Sequence, residues 1–181
     1  MTSNVVALSK RVESPASGAP VAEDVAEADF RDAMASFASG VTLVTTRDGA
    51  GRPYGFTASS FASLSLHPPM VLVCMGKRAG AYDIMTNAKT FAISILAADQ
   101  AHLARLFSTP GSDRFGHPDI EDGPNGLPVA RGALAQLDCA LEILHPGGDH
   151  AILIGRPFAI RLNPGKPLIH HARRLTGVAE A

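Results

Sequence analysis

The sequence predicts a mainly β fold with a few inserted helices, its antiparallel strands forming a barrel or sandwich. Three observations carry this. Apolar, β-branched runs such as VTLVTT, MVLVCM and TFAISIL recur along the 181 residues. Turn-forming clusters, among them Asp48-Gly49 and HPGGD, join several of these runs as hairpins. Only three stretches have helical spacing, which leaves too few crossovers for a doubly wound parallel sheet.

Residues 1–26 lack a sustained period and are expected to form a flexible N-terminal arm. In EADFRDAMASFASG, Phe30, Met34 and Phe37 fall at helical spacing, Asp29 can cap and Gly40 can terminate; Met34 and Phe37 are expected in the core. A strand from Val41, the turn RDGAGRP and the return strand YGFTASSF form a hairpin. The whole run from Tyr54 to Cys74 is patterned like two buried strands, with His67-Pro68-Pro69 as a connection because proline donates no ladder bond. MVLVCM reads as fully buried, AGAYDIMTNA as a helix and TFAISIL as a strand. A short helix, DQAHLARLFST, has Asp99 as its expected cap and Leu103, Leu106 and Phe107 on one face. A long Gly- and Pro-rich loop leads to two long strands, ALAQLDCALEIL and HAILIGRPFAIRL. The domain is expected to span 27–175, with 176–181 as a tail.

Composition excludes several functions. Charged residues are 18% and the net charge is −1, so there is no basic field for nucleic acid and no polybasic membrane anchor. The apolar runs are too short to span a bilayer. Ser9, Lys10 and Arg11 interrupt any signal-peptide core, and a cytoplasmic protein is expected. Cys74 and Cys139 sit in separate apolar runs and are read as free thiols. Neither C-x-x-C nor a recognisable histidine ligand spacing is present, so no metal is expected. The glycines of GAGRPYG lie between antiparallel strands, the wrong context for a dinucleotide or phosphate loop.

The polar cluster Thr57-Ala58-Ser59-Ser60 admits two readings. It is an edge strand with solvated hydroxyls, or a cradle whose hydroxyls bond a phosphate or the polar edge of a ring. His150 is either a strand-end histidine bonded to its turn or, oriented by Asp149, a donor to a ligand. Arg114-Phe115 is either a solvated arginine beside a pinning phenylalanine or a cation and ring at a ligand.

GVTLVTT, GFTASSFASLSLHPPMVLVCM, FAISILAADQAHLARLFS, DRF, GALAQLDCALEILHPGGDHAILIGRPFAI and PLIHHARRL, in this order, resemble the short-chain flavin reductase family. The resemblance covers roughly residues 30–175. It implies an antiparallel split β-barrel and an NAD(P)H-dependent enzyme that reduces free FAD or FMN. It also implies a homodimer supplying reduced flavin to a transient partner monooxygenase. Carried over, Thr57, Ala58, Ser59 and Ser60 would line the isoalloxazine and ribityl chain. Cys74, Met75, Lys77 and Ala79 would border the flavin phosphate, with Lys77 as its cation. Arg114 and Phe115 would flank the pocket, Asp149 and His150 would serve the nicotinamide, and Arg173 and Arg174 would form the basic closing segment. His150 is the candidate catalytic residue. Ala79 and Gly80 stand where the family often has hydroxyls, and HARRL lacks a tyrosine often present there. The rival reading is a non-catalytic split-barrel module holding a flavin or tetrapyrrole; direct reduction of an organic substrate by bound FMN is a third. FAD versus FMN and NADH versus NADPH stay open.

Overall fold

The computed structural model describes residues 24–178. Most of the expected N-terminal arm and the last three residues lie outside that range. In chain order the elements are α1 (Glu27–Ala35), β1 (Ser39–Gly40), β2 (Thr42–Arg47), β3 (Pro53–Ala58), β4 (Ala62–Leu66) and β5 (Pro69–Gly76). Then follow α2 (Tyr82–Asn87), β6 (Thr90–Ile95), a 3-10 turn (Ala98–Gln100), α3 (Ala101–Ser108), β7 (Ile120–Asp122) and β8 (Pro128–Ala130). The long hairpin β9 (Ala135–Gly147) and β10 (His150–Leu162) precedes β11 (Leu168–His171) and β12 (Arg174–Gly177).

Seven strands form one antiparallel sheet in the order β3-β2-β6-β9-β10-β5-β4. Just beyond the end of β3, the Ser60 hydroxyl accepts from the Cys74 N–H and donates to the Cys74 carbonyl, both at 3.1 Å, which ties that end of the sheet back to β5. The sheet therefore curls without a continuous ladder between β3 and β5, as a split barrel does. Its apolar interior is built from Val73, Met75, Met85, Phe91, Ile93, Cys139 and Leu153, each essentially inaccessible to water. A second apolar cluster joins Leu43, Leu96, Leu103, Phe107 and Leu168, seating α3 against the outer side of β2 and β3. Each such side chain contributes about 1.5–3 kcal/mol by burial.

Several expectations are corrected. In β5, Val71, Val73 and Met75 are buried while Leu72 and Cys74 are half-buried, so MVLVCM alternates and turns Cys74 to the other face. β3 stops at Ala58, and β4 is exposed throughout at the sheet edge, so the Tyr54–Cys74 run is not two buried strands. Apolar Leu64 and Leu66 there mimic a core pattern but are 46% and 72% exposed among the described residues. In α1 no residue is buried: Phe30 and Met34 are 55% and 54% exposed, and Phe37, just beyond the helix, is 71% exposed, contrary to the core role expected of Met34 and Phe37. The helical period is present, but among the described residues nothing buries that face. Ala26, rather than Asp29, occupies the N-cap, and the helix ends before Gly40. The helix Ala101–Ser108 likewise lacks a side-chain cap, because Asp99 lies inside the preceding 3-10 turn. The long loop contains the β7–β8 hairpin, whose β8 carbonyl at Pro128 accepts a hydrogen bond from buried Thr45.

Candidate functional site

The curl of the sheet leaves a cleft of about 930 Å³ where β3, the end of β5, the start of β10 and the segment after α3 converge. Thr57, Ala58, Ser59, Ser60, Cys74, Met75, Ala79, Arg114, Phe115 and His150 all line it. Four chain segments named from the sequence thus meet at one place.

The hydroxyl cluster divides by role. Thr57 Oγ1 donates to the Ala104 carbonyl of α3 at 2.7 Å, and Ser60 is committed to Cys74. Ser59 Oγ has no protein partner among the described residues and is exposed on the wall. Of the three hydroxyls, only Ser59 is available to a ligand without breaking a protein bond. Next to them Gly55 is glycine of necessity: a Cβ there would lie 2.9 Å from Thr45 Cγ2 and the Val44 carbonyl, and 3.1 Å from the Phe107 ring.

Arg114 anchors the opposite segment. Its Nη1 donates to the Gly55 carbonyl at 3.1 Å and Nη2 to the Thr109 carbonyl at 2.8 Å. Its Nε is buried without a partner, a donor left over beside the cleft. Phe115 meets Phe107 edge-on, with centroids 5.2 Å apart at 83°, so the ring is held in place by α3.

His150 is positioned by two turns. Gly148, at φ +61°, makes the two-residue hairpin turn from β9 possible. The Lys77 N–H donates to the Asp149 carbonyl at 2.9 Å, and Lys77 Nζ to the Gly148 carbonyl at 2.6 Å, fastening the loop after β5 to that turn. His150 pairs with Gly76 in the ladder, and its Nε2 would lie 3.6 Å from a Cβ at Gly76. Nδ1 is 2.7 Å from Asp149 Oδ1. That hydrogen bond holds the Asp149 carboxyl below the usual carboxylate range, so it is ionised at neutral pH and directs the Nδ1 proton toward itself. Nε2 is then free to face the cleft.

Three expected residues stand apart. Lys77 does not line the cleft, since its ammonium is spent on Gly148; Arg78 lines it instead. Asp149 acts through His150 rather than on the wall. Arg173 lies at a neighbouring pocket of about 610 Å³, with its guanidinium paired to Asp32 of α1. That pocket shares Thr57, Ser59 and Ser108 with the cleft and adds Arg105, His170 and Arg174. Sequence reasoning did not single out Arg105 or Ser108. Sequence adjacency was the available signal: Arg105 and Ser108 each follow a buried α3 residue, Ala104 and Phe107, that also reaches a pocket.

The chain belongs to the flavin reductase like domain family, whose model matches residues 34–179. A flavin reductase of Rhizobium meliloti is 43% identical over 144 residues, which cover 80% of this chain and 46% of that protein. The chain thus spans about half the length of that relative. The reductase subunit HsaB of a flavin-dependent monooxygenase from Rhodococcus jostii is 36% identical, over 89% of this chain and 83% of its own. The solved structure of the NADH:FAD oxidoreductase SgcE6 of Streptomyces globisporus, in complex with NAD and FAD fragments, superposes with a TM-score of 0.80. It is 37% identical and is matched over 87% of this chain and 98% of its own. The fold is the antiparallel split barrel of those flavin reductases.

The residues present fit a flavin. Gly55, Ala58, Ala79 and Gly80 keep the walls low enough for a planar ring, Ser59 offers an unspent hydroxyl, and the unpartnered Arg114 Nε supplies a cationic donor.

Proposed function

We propose that this chain is an NADH-dependent reductase of free flavin, FAD or FMN, that supplies reduced flavin to a separate monooxygenase. The observation that carries the reading is the convergence of Ser59, Arg114-Phe115 and the Asp149-oriented His150 on one open cleft. The names of the relatives support the donor and the acceptor.

When bound, the flavin accepts a hydride from the nicotinamide, chemistry that belongs to the two cofactors. The protein's share is alignment. Ser59 and Arg114 hold the polar parts of the acceptor, Phe115 shields one side from water, and His150 Nε2 contacts the nicotinamide nucleotide while Asp149 fixes its tautomer. No acid, base or nucleophile of the protein is needed, in keeping with the small number of titratable groups on the walls. The cleft is open and Arg114, one of its two arginines, is shared with two backbone carbonyls, which suits a flavin that is exchanged as a substrate.

The functional unit in this reading is a homodimer. Phe30 and Met34 on α1, Phe37 just after it, and Phe158, Ile160 and Leu162 toward the end of β10, are all more than half exposed. Such faces suit a second copy of the chain, the occupant to which this reading commits. Light scattering is expected to give the mass of two chains. Both cysteines are free, as in a reducing compartment, and we take the setting as cytoplasmic. Among the described residues no helix is long and apolar enough to cross a membrane.

The test is oxidation of NADH and NADPH at 340 nm with and without added FAD or FMN. Turnover that requires added flavin, with NADH preferred, is expected. His150→Ala is expected to raise the KM for NADH about tenfold with a smaller effect on the KM for flavin. A coloured protein inert to both nucleotides would replace this reading with a flavin-binding module.

A further inference from the structure

His102, His117 and Asp119 come together outside both pockets, with one donor atom of each within 4.8 Å of the other two. His102 stands in the first turn of α3, while His117 and Asp119 lie between Phe115 and β7. Their positions, fifteen and two residues apart, give no ligand signature in the sequence.

Hydrogen-bond bookkeeping makes the cluster unusual. His102 Nδ1 lies 3.2 Å from the Asp99 carbonyl, which offers only lone pairs, so one tautomer of the ring donates there. In the neutral ring this leaves the Nε2 lone pair facing Asp119 Oδ2 at 2.8 Å. In that tautomer the two lone pairs repel unless a cation binds both, whereas the other tautomer donates Nε2–H to Asp119 and turns a lone pair toward the Asp99 carbonyl. The His117 ring is 5.3 Å from that of His102, and its Nδ1 lies 3.9 Å from the same carboxylate oxygen while accepting the Asp119 N–H at 3.2 Å. The three side chains are 45%, 30% and 44% exposed, so a hydrated ion can reach them.

We propose that His102, His117 and Asp119 bind one divalent transition-metal ion of the zinc class, with water in the remaining positions. Two imidazoles and one carboxylate suit such an ion. Ligand bonds of about 2.1 Å in a tetrahedral array set neighbouring donors about 3.4 Å apart, so the His102–Asp119 pair at 2.8 Å would open slightly to admit the ion. To ligate through Nδ1, His117 must release the Asp119 N–H, because that nitrogen has a single lone pair. The ion would pin the segment carrying Arg114 and Phe115 to α3. A proton shared in a plain imidazolium–carboxylate pair would satisfy the same two atoms, and the experiment separates the two cases.

Tag-free protein, stripped with a chelator, is titrated with Co²⁺ while the visible d–d band is followed, and Zn²⁺ is then added as competitor. One saturating equivalent displaced by Zn²⁺ is expected. His102→Ala and Asp119→Asn are each expected to weaken binding at least tenfold, whereas His145→Ala, which removes an exposed histidine of β9 from outside the cluster, leaves it unchanged. His117→Gln serves as a further variant should His102→Ala fail to fold. Absence of a saturable band, or equal affinity in the cluster variants, overturns the proposal and leaves an ion pair. The titration needs neither flavin nor nucleotide, so its outcome is independent of the reductase reading.

Discussion

Gly55→Ala is a sharp test of how the cleft is built. Gly55 lies within β3, where alanine would ordinarily stabilise by about 0.5–1 kcal/mol through the reduced entropy of the unfolded chain. Here the added methyl would sit 2.9 Å from the Val44 carbonyl, which is backbone, and 3.1 Å from the ring of fully buried Phe107. Neither can yield cheaply, so overpacking of about 1–3 kcal/mol outweighs the entropic gain and reverses the sign. Net of the entropic gain the loss is up to about 2.5 kcal/mol, which for a domain of about 150 residues is up to roughly 10 °C in Tm. Displacing α3 also stretches the Thr57–Ala104 bond and the Arg114–Gly55 bond, so flavin affinity should fall with stability. Gly49→Ala, where a Cβ meets nothing within 4 Å, is the control and should shift Tm by no more than about 1–2 °C. Thermal melts by circular dichroism and flavin titration on the same samples read both effects. A Gly55→Ala variant that melts at or above the wild-type temperature would refute the packing argument.

Arg114→Met keeps the length of the side chain and removes its donors; flavin affinity is expected to weaken about tenfold, or about 1.4 kcal/mol, by fluorescence titration. Arg114→Lys should not rescue it, because one ammonium cannot serve both Gly55 and Thr109 in the guanidinium geometry. Unchanged binding in Arg114→Met would reduce Arg114 to a loop brace. The cysteines should behave oppositely: Cys74, half-buried on the cleft wall, reacts with a thiol reagent at pH 8 and is protected by added FAD, while Cys139 stays inert until the protein unfolds. Burial, and then the neighbouring Asp138 carboxylate, push the Cys139 thiol from its ordinary value near 9 up to about 12. The unfolded chain therefore releases this proton first as pH rises, so stability is lost between about pH 9 and pH 12 by up to roughly 1.4 kcal/mol per pH unit. Cys139→Ala should flatten that alkaline fall in denaturant melts, and an unaltered slope would count against the assignment.

Much of this architecture could be read from the sequence because it depends on local patterns. The β9–β10 hairpin follows from two long apolar runs around Gly148-Asp149, and the β2–β3 hairpin from Asp48-Gly49. What failed depended on partners. The spacing of Phe30, Met34 and Phe37 marks an apolar helix face, yet spacing cannot say whether that face meets the same chain. MVLVCM looked fully buried because Leu72 and Cys74 are as apolar as their neighbours, although they face away from the core. In the site, the polar cluster and Asp149-His150 stood out by residue type and turn context, and the resemblance joined them. Lys77 was legible as a charge, but its bond to Gly148 needs a turn brought from seventy residues away. Arg105 and Ser108 became visible only when α3 was seated on β3.

The division of labour among Thr57, Ser59 and Ser60 explains why a polar triplet stands at this corner. A sheet that curls without a closing ladder must hold its edges by other bonds. Thr57 ties β3 to α3, and Ser60 ties the corner to β5 by reading both the donor and the acceptor of Cys74. These are structural bonds, made on either side of the one hydroxyl left unspent. Ser59 is thereby presented at a fixed place on the wall without a protein partner that a ligand would have to displace. The open seam of the barrel and the binding cleft are thus the same feature: complete pairing of β3 with β5 would gain ladder hydrogen bonds and abolish the space in which a flavin fits.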